Sequence, residues 1–248
     1  MRYFLEIAYN GGEYFGWQIQ PDAVSVQEVL ERGLSTILQK ELKVVGAGRT
    51  DTGVHARQLF AHVDLDDTED MSNFNFRLNS ILPRDIVLKD IHPVNVDAHA
   101  RFDAIEREYE YLINVTKDPF SQNLAYQVQK IPDIGLMNEA AAILLDYIDF
   151  QCFSRTKTNV KTYHCLIKKA FWTLDGNRLI FTIAADRFLR NMVRAIVGTL
   201  LDVGYEKTSM AQFHSVLKSK NRSEAGKSAP AHGLYLTKVT YPENIFIK

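Results

Sequence analysis

Apolar and polar residues alternate along residues 2–10 as in a strand, and Asn10-Gly11-Gly12 stops the pattern. A helical period follows over 25–39: Ser25 can cap, Glu28 stands three residues on as in a capping box, and Val26, Val29, Leu30, Leu34, Ile37 and Leu38 share one face. Strands are predicted at 42–45 and 59–65, a helix through Phe74, Leu78, Ile81 and Leu82 that ends at Pro83, and a strand over 86–94. The second half repeats the order. It has a strand at 108–115, a helix at 134–145, a hairpin of 165–174 and 179–185 around Asp175-Gly176-Asn177, helices at 188–203 and 210–219, and a strand at 234–241. Two β-α-β-β-α-β units in tandem predict an α+β fold of two ferredoxin-like halves whose antiparallel sheets join, one spanning 1–100 and the other 101–248. The polar, small-residue stretch 221–230 is expected to be mobile.

One run breaks the apolar rhythm. Gly46-Ala47-Gly48-Arg49-Thr50-Asp51-Thr52-Gly53-Val54-His55-Ala56 sets a carboxylate among a guanidinium, hydroxyls and glycines, more polar chemistry than a buried strand or an ordinary turn uses. It has neither the spacing of a nucleotide-triphosphate loop nor that of a dinucleotide fingerprint, and the residues after Ala56 read as a strand, so the loop joins two strands. A carboxylate beside a cation suits a nucleophile or general base better than a general acid, which singles out Asp51 with Arg49.

Two further segments carry candidate chemistry. If 188–203 is one helix, Arg190 and Arg194 stand at i and i+4 on a mostly apolar surface, where an Arg needs a counter-ion; Asp51 is the expected partner of Arg194. In the strand around Tyr109, Arg107, Tyr109, Tyr111 and Ile113 share a face, and Tyr109 either stacks on a planar substrate or fills the core. The loop 154–163, with Arg155, Lys157 and Lys161, mixes cations, hydroxyls and an aromatic, which suits phosphate and sugar contacts, though alone it is also what a solvated loop contains.

Composition narrows the class. The 248 residues are 46% hydrophobic and 24% charged, as in an ordinary folded protein, and no stretch approaches the roughly 18 apolar residues that span a bilayer. The start reaches Glu6 too soon for a signal peptide, so a cytoplasmic protein is expected. Cys152 and Cys165 lack the spacing of a disulfide framework or zinc site, and the histidine pairs 55/62 and 92/99 offer no shared metal geometry, so structural histidines are expected. Net charge is −1, yet residues 1–124 hold 12 Lys/Arg against 20 Asp/Glu while 125–248 hold 17 against 10. One half thus offers a basic surface, although by itself such asymmetry reads as solvated surface.

These residues resemble the TruA-type tRNA pseudouridine synthases. The resemblance rests on five collinear blocks: the Gly48–Ala56 run; Tyr9-Asn10-Gly11 with Gly16-Trp17-Gln18 and Val26-Gln27; His99-Ala100-Arg101-Phe102 with Tyr109 and Tyr111; Phe188-Leu189 with Met192-Val193-Arg194 and Ile196-Val197-Gly198; and Gly233-Leu234-Tyr235-Leu236 before Tyr241-Pro242. It implies isomerisation of uridine to pseudouridine at nucleotides 38 to 40 of the tRNA anticodon stem-loop, by a homodimer that uses no cofactor or metal. It further implies Asp51 as the catalytic carboxylate in a cleft between the halves and Tyr109 stacked on the target base. Arg194 would orient Asp51, and Arg49 would fill the space the flipped base leaves. Arg101 and Phe102, the loop with Arg155, Lys157 and Lys161, and Arg190 would contact the RNA. The competing reading is a non-catalytic RNA-binding protein on the same fold.

Overall fold

The computed structural model describes residues 1–66, 71–156 and 160–247. The chain forms two compact units, one of Met1–Ile105 with Leu236–Lys248 and one of Glu106–Tyr235. Both mix α-helices with mostly antiparallel strands.

In the first unit, β1 (Arg2–Tyr9) lies between β3 (His55–Asp64) and β4 (Ile86–Val94), antiparallel to both, and β2 (Val45–Gly46) adds to β3. Helices α1 (Val26–Leu38) and α2 (Met71–Ile81) pack together, with Leu78 and Leu82 facing Gly33. Ser25 caps α1 by accepting the Glu28 N–H. β3 is buried on both faces along most of its length, and Tyr241 meets both Phe60 on β3 and Phe4 on β1, with ring centroids 5.3 and 4.9 Å away. Residues 236–240 belong to β9 (Leu234–Thr240), where Val239 N–H donates to the Gln58 side chain at 3.0 Å.

Two boundaries differ from the periodicity. The strand predicted at 42–45 shrinks to Val45–Gly46 because Val44 bonds to the side chains of Gln27 and Glu31 instead of to a neighbouring strand. β3 begins at His55, four residues before the alternation starts, since Ala56 already pairs with Tyr9. The polar run is therefore a loop of only 47–54.

In the second unit, β8 (Arg178–Ala185) lies antiparallel between β5 (Glu106–Asn114) and β7 (Ile167–Asp175), and the short β6 (Tyr126–Gln127) runs parallel to β5. Helix α3 (Ile134–Ile143) packs on β7 and on α4 (Met192–Gly204), and α5 (Met210–Ser219) starts at a capping box made by Ser209 and Gln212. Helix α4 starts four residues later than the apolar pattern predicts. Asn191 has φ +66°, a left-handed turn that stops the helix from extending back to Phe188, so Arg187 and Arg190 precede it. Arg190 and Arg194 thus do not share a helical face.

The stretch 221–230 is strapped down, contrary to the mobility expected of its composition. Arg222 donates to the carbonyls of Ala225 and Gly226 and to Ser228 Oγ, Gly226 N–H donates to Thr199 Oγ1 at 2.9 Å, and Ala229 N–H donates to Arg194 O at 2.9 Å. Gly198 makes this possible, as any Cβ there would collide with Lys227 O.

Candidate active site

β2 and β3 form the neck of the loop 47–54, closed by a hydrogen bond from Ala47 N–H to Phe60 O at 2.7 Å. At its tip Val54 N–H donates to Asp51 O at 3.1 Å, making a tight turn around Thr52 and Gly53. The segment after β1 cradles it: Gly53 N–H donates to Tyr14 O at 3.2 Å, Trp17 N–H donates to Thr50 O at 3.4 Å, and the Tyr9 hydroxyl bonds Thr50 Oγ1 at 2.9 Å. Such close approach needs glycine on both the cradle and the loop's neck. Gly16 has φ +86° and a Cβ there would collide with Thr50 O, while one on Gly46 would strike the Trp17 indole. Both flanks of Asp51 are thereby clamped, Asp51 is half-buried, and Arg49 is exposed.

The histidines serve this framework. Buried His55 accepts the Gly11 N–H on Nδ1 at 3.0 Å, and His62 Nδ1 accepts the Ala100 N–H at 3.1 Å. His62 packs against His99, ring centroids 4.7 Å apart. Burial, reinforced by His99 and Arg2, pushes the His62 imidazole down to about 4. His99 Nδ1 in turn accepts the Arg101 N–H at 3.1 Å. This turn presents Arg101 5.9 Å from the centroid of the Phe102 ring, and Phe102 is 75% exposed. Arg101 and Arg49 line one cavity of about 120 Å3, together with Trp17, Gln18, Gln27, Val44 and Gly46 among others.

The second unit holds the other candidates. Tyr109, half-buried on β5, sets its ring edge-on to Phe188 at 5.2 Å. Arg194 is half-buried in the first turn of α4, where its Nε donates to Ala229 O at 2.8 Å, so the strap 221–230 fixes its side chain. It lies close enough to Tyr111 and His232 to act on both: burial pushes the Tyr111 phenol up against the pull of Arg194, and burial aided by Arg194 lowers His232. Arg190 and Arg155 are exposed and adjacent, Arg155 N–H donating to Arg190 O at 3.0 Å. Lys161 is exposed, and Lys157 lies outside the described residues.

A family model described as tRNA pseudouridine synthase matches residues 7–103 and 140–242. The chain belongs to the tRNA pseudouridine synthase family. Relatives named tRNA pseudouridine synthase A support this across nearly whole chains. The Porphyromonas gingivalis protein is 51% identical over 99% of both chains, the Bacteroides thetaiotaomicron protein 50% identical over 99% of this chain and 92% of its own, and the Bacillus licheniformis protein 39% identical over 97% and 99%.

In this family member two side chains to which the periodicity assigns no role bond Val44, the residue before the loop's entry strand. Gln27 and Glu31 are 8% and 6% exposed on the buried face of α1. Their signal was legible: a polar pair at i and i+4 within the apolar stripe of Val26, Leu30 and Leu34.

Proposed function

We propose that this chain isomerises uridine to pseudouridine in the anticodon stem-loop of tRNA, at one or more of nucleotides 38, 39 and 40, with Asp51 as the catalytic group. The carboxyl attacks the uracil ring or the ribose anomeric carbon, the bond between N1 and C1′ breaks, and the uracil turns. A bond forms between C5 and C1′, the bond to Asp51 breaks and frees its carboxylate, C5 gives up its proton, and N1 gains one, so the product is an isomer and no electron carrier is consumed. The observation that carries this reading is the clamped loop: hydrogen bonds on both sides of Asp51 hold a half-buried carboxyl at the end of a strand-to-strand turn. Such pre-positioning is what nucleophilic attack on one carbon of a bound nucleotide requires.

Tyr109 and Arg194 are assigned to substrate binding and orientation, supported by the aromatic packing of one and the strap-fixed guanidinium of the other. Arg49 is assigned to the gap left by the flipped base, supported by its exposure beside Asp51. Arg101, Phe102, Arg155, Lys157, Lys161 and Arg190 are assigned to RNA contacts, supported for the described ones by exposed cations and an exposed ring. A cytoplasmic homodimer is part of the same proposal. Among the described residues no helix is long and apolar enough to cross a membrane.

Asp51→Asn tests the assignment. Pseudouridine formation in tRNA, read by chemical labelling and primer extension, is expected to fall by about three orders of magnitude or more, with tRNA affinity and thermal unfolding retained. Full turnover by that variant would leave an RNA-binding role for the loop and exclude Asp51 from the chemistry.

A further inference from the structure

Buried polar side chains need a reason, since an apolar pair on the same helix face packs without desolvating a carboxyl and an amide. Gln27 and Glu31 sit among Val26, Val29, Leu30 and Leu34 on the inner side of α1. The amide of Gln27 uses both of its ends. Its Nε2 donates to Glu31 Oε1 at 2.9 Å and to Val44 O at 3.0 Å, while its Oε1 accepts from Gln18 Nε2 at 2.9 Å and Ile19 N–H at 3.3 Å. Glu31 Oε1 also accepts the Val44 N–H at 3.0 Å, and its Oε2 lies 3.7 Å from Lys43 Nζ. The main chain adds Gln27 N–H to Trp17 O at 3.0 Å and Val26 N–H to Gly16 O at 3.2 Å.

These bonds reach the catalytic loop from two sides. Val44 is the residue before β2, two residues before Gly46, so holding both its N–H and its C=O sets where the loop's entry limb starts. Gly16, Trp17 and Gln18 are the cradle, and Trp17 N–H bonds Thr50 O, one peptide from Asp51. The same amide therefore ties the entry limb to the cradle, and the loop between them inherits its height above the sheet.

Resting on the assignment of Asp51 above, we propose that Gln27 and Glu31 are positioning residues for the pseudouridylation reaction: a buried amide-carboxyl pair that sets the placement of the Asp51 loop through Val44 and the cradle. Replacing Gln27 by an apolar residue of similar length keeps the helix and its packing but cuts the tie between limb and cradle. Reacting groups displaced by as little as an ångström lose turnover while a broad RNA surface loses little affinity.

The test compares Gln27→Met, Glu31→Leu and Glu31→Gln with the parent and with Asp51→Asn, on tRNA substrate, measuring single-turnover rate, KM, tRNA Kd and Tm. Gln27→Met and Glu31→Leu are expected to lose about 10- to 100-fold in rate, with KM and Kd within about threefold of the parent, whatever the direction of the Tm change. Glu31→Gln keeps an acceptor for Gln27 and Val44 and is expected to recover the rate to within about threefold. A parental rate in Gln27→Met overturns the proposal, and so does a loss that follows Tm across the three variants or appears in Kd instead of rate. If Asp51→Asn is itself fully active, the reading of Asp51 fails; if it is inactive while Gln27→Met is not, only the positioning role fails.

Discussion

Thr50 shows how single residues make this loop a fixed object. Its carbonyl accepts from Trp17, its hydroxyl bonds Tyr9, and the bare backbone of Gly16 lets the cradle approach it. None of these contacts involves Asp51, yet all of them restrict it. His62 works similarly for the turn that carries Arg101 and Phe102: as an acceptor on Nδ1 it must stay unprotonated there to hold the Ala100 N–H. His99 and Arg2 oppose a positive charge on the ring, Asp64 and Asp103 favour one, and burial outweighs both. The folded-state value of about 4 is below the ordinary value of 6.5, so between these two the unfolded chain binds the extra proton. The resulting stability is complete above pH 6.5 and is lost as pH falls through 4. Thermal unfolding across about pH 7 to 4 is expected to show that loss, and His62→Asn, which offers an acceptor near the Nδ1 position, is expected to show a shallower decline.

Among the elements, α4 departs most from its pattern. Its apolar residues continue the helical period back to Phe188, but Asn191 turns left-handed and its side chain bonds Ser228 Oγ at 2.6 Å, so the helix begins at Met192. The strap that supplies Ser228 also supplies Ala229 to Arg194, which makes the helix start, the strap and the guanidinium one arrangement. Its weakest tolerance is at Gly198, where a methyl group meets Lys227 O. Gly198→Ala is expected to destabilise the protein by about 1–3 kcal/mol through overpacking, lowering Tm by several degrees, roughly 2–4 °C per kcal/mol. Unchanged Tm in a calorimetric scan would show that the strap can shift to admit a methyl group there. Composition alone read the strap as mobile because it counts small polar residues and not the bonds made to them.

At the scale of the whole molecule, near-neutral charge hides an uneven distribution, with 17 Lys/Arg against 10 Asp/Glu in residues 125–248. Binding of tRNA is accordingly expected to weaken with salt, each phosphate contact contributing about 0.7–0.9 to the log-log slope. Arg190→Ala is expected to reduce that slope by about one contact without altering which uridine is modified; an identical slope in filter binding over about 50 to 200 mM salt would remove Arg190 from the interface. The succession of strands and helices is legible without coordinates, because periods of 2.0 and 3.6 are written in consecutive residues, and the Asp51 loop stands out because so many polar residues and glycines in one run have no use in a core. Gln27 and Glu31 are likewise displayed as a polar interruption of an apolar stripe, though not what they bind. It took the folded chain to establish that Val44 leaves the sheet for those two side chains, that Arg190 lies outside the helix of Arg194, that His62 pairs with His99, and that 221–230 is a strap. Each of these depends on which distant group satisfies a particular backbone N–H or carbonyl, and a pairing between residues far apart in sequence leaves no local period to read.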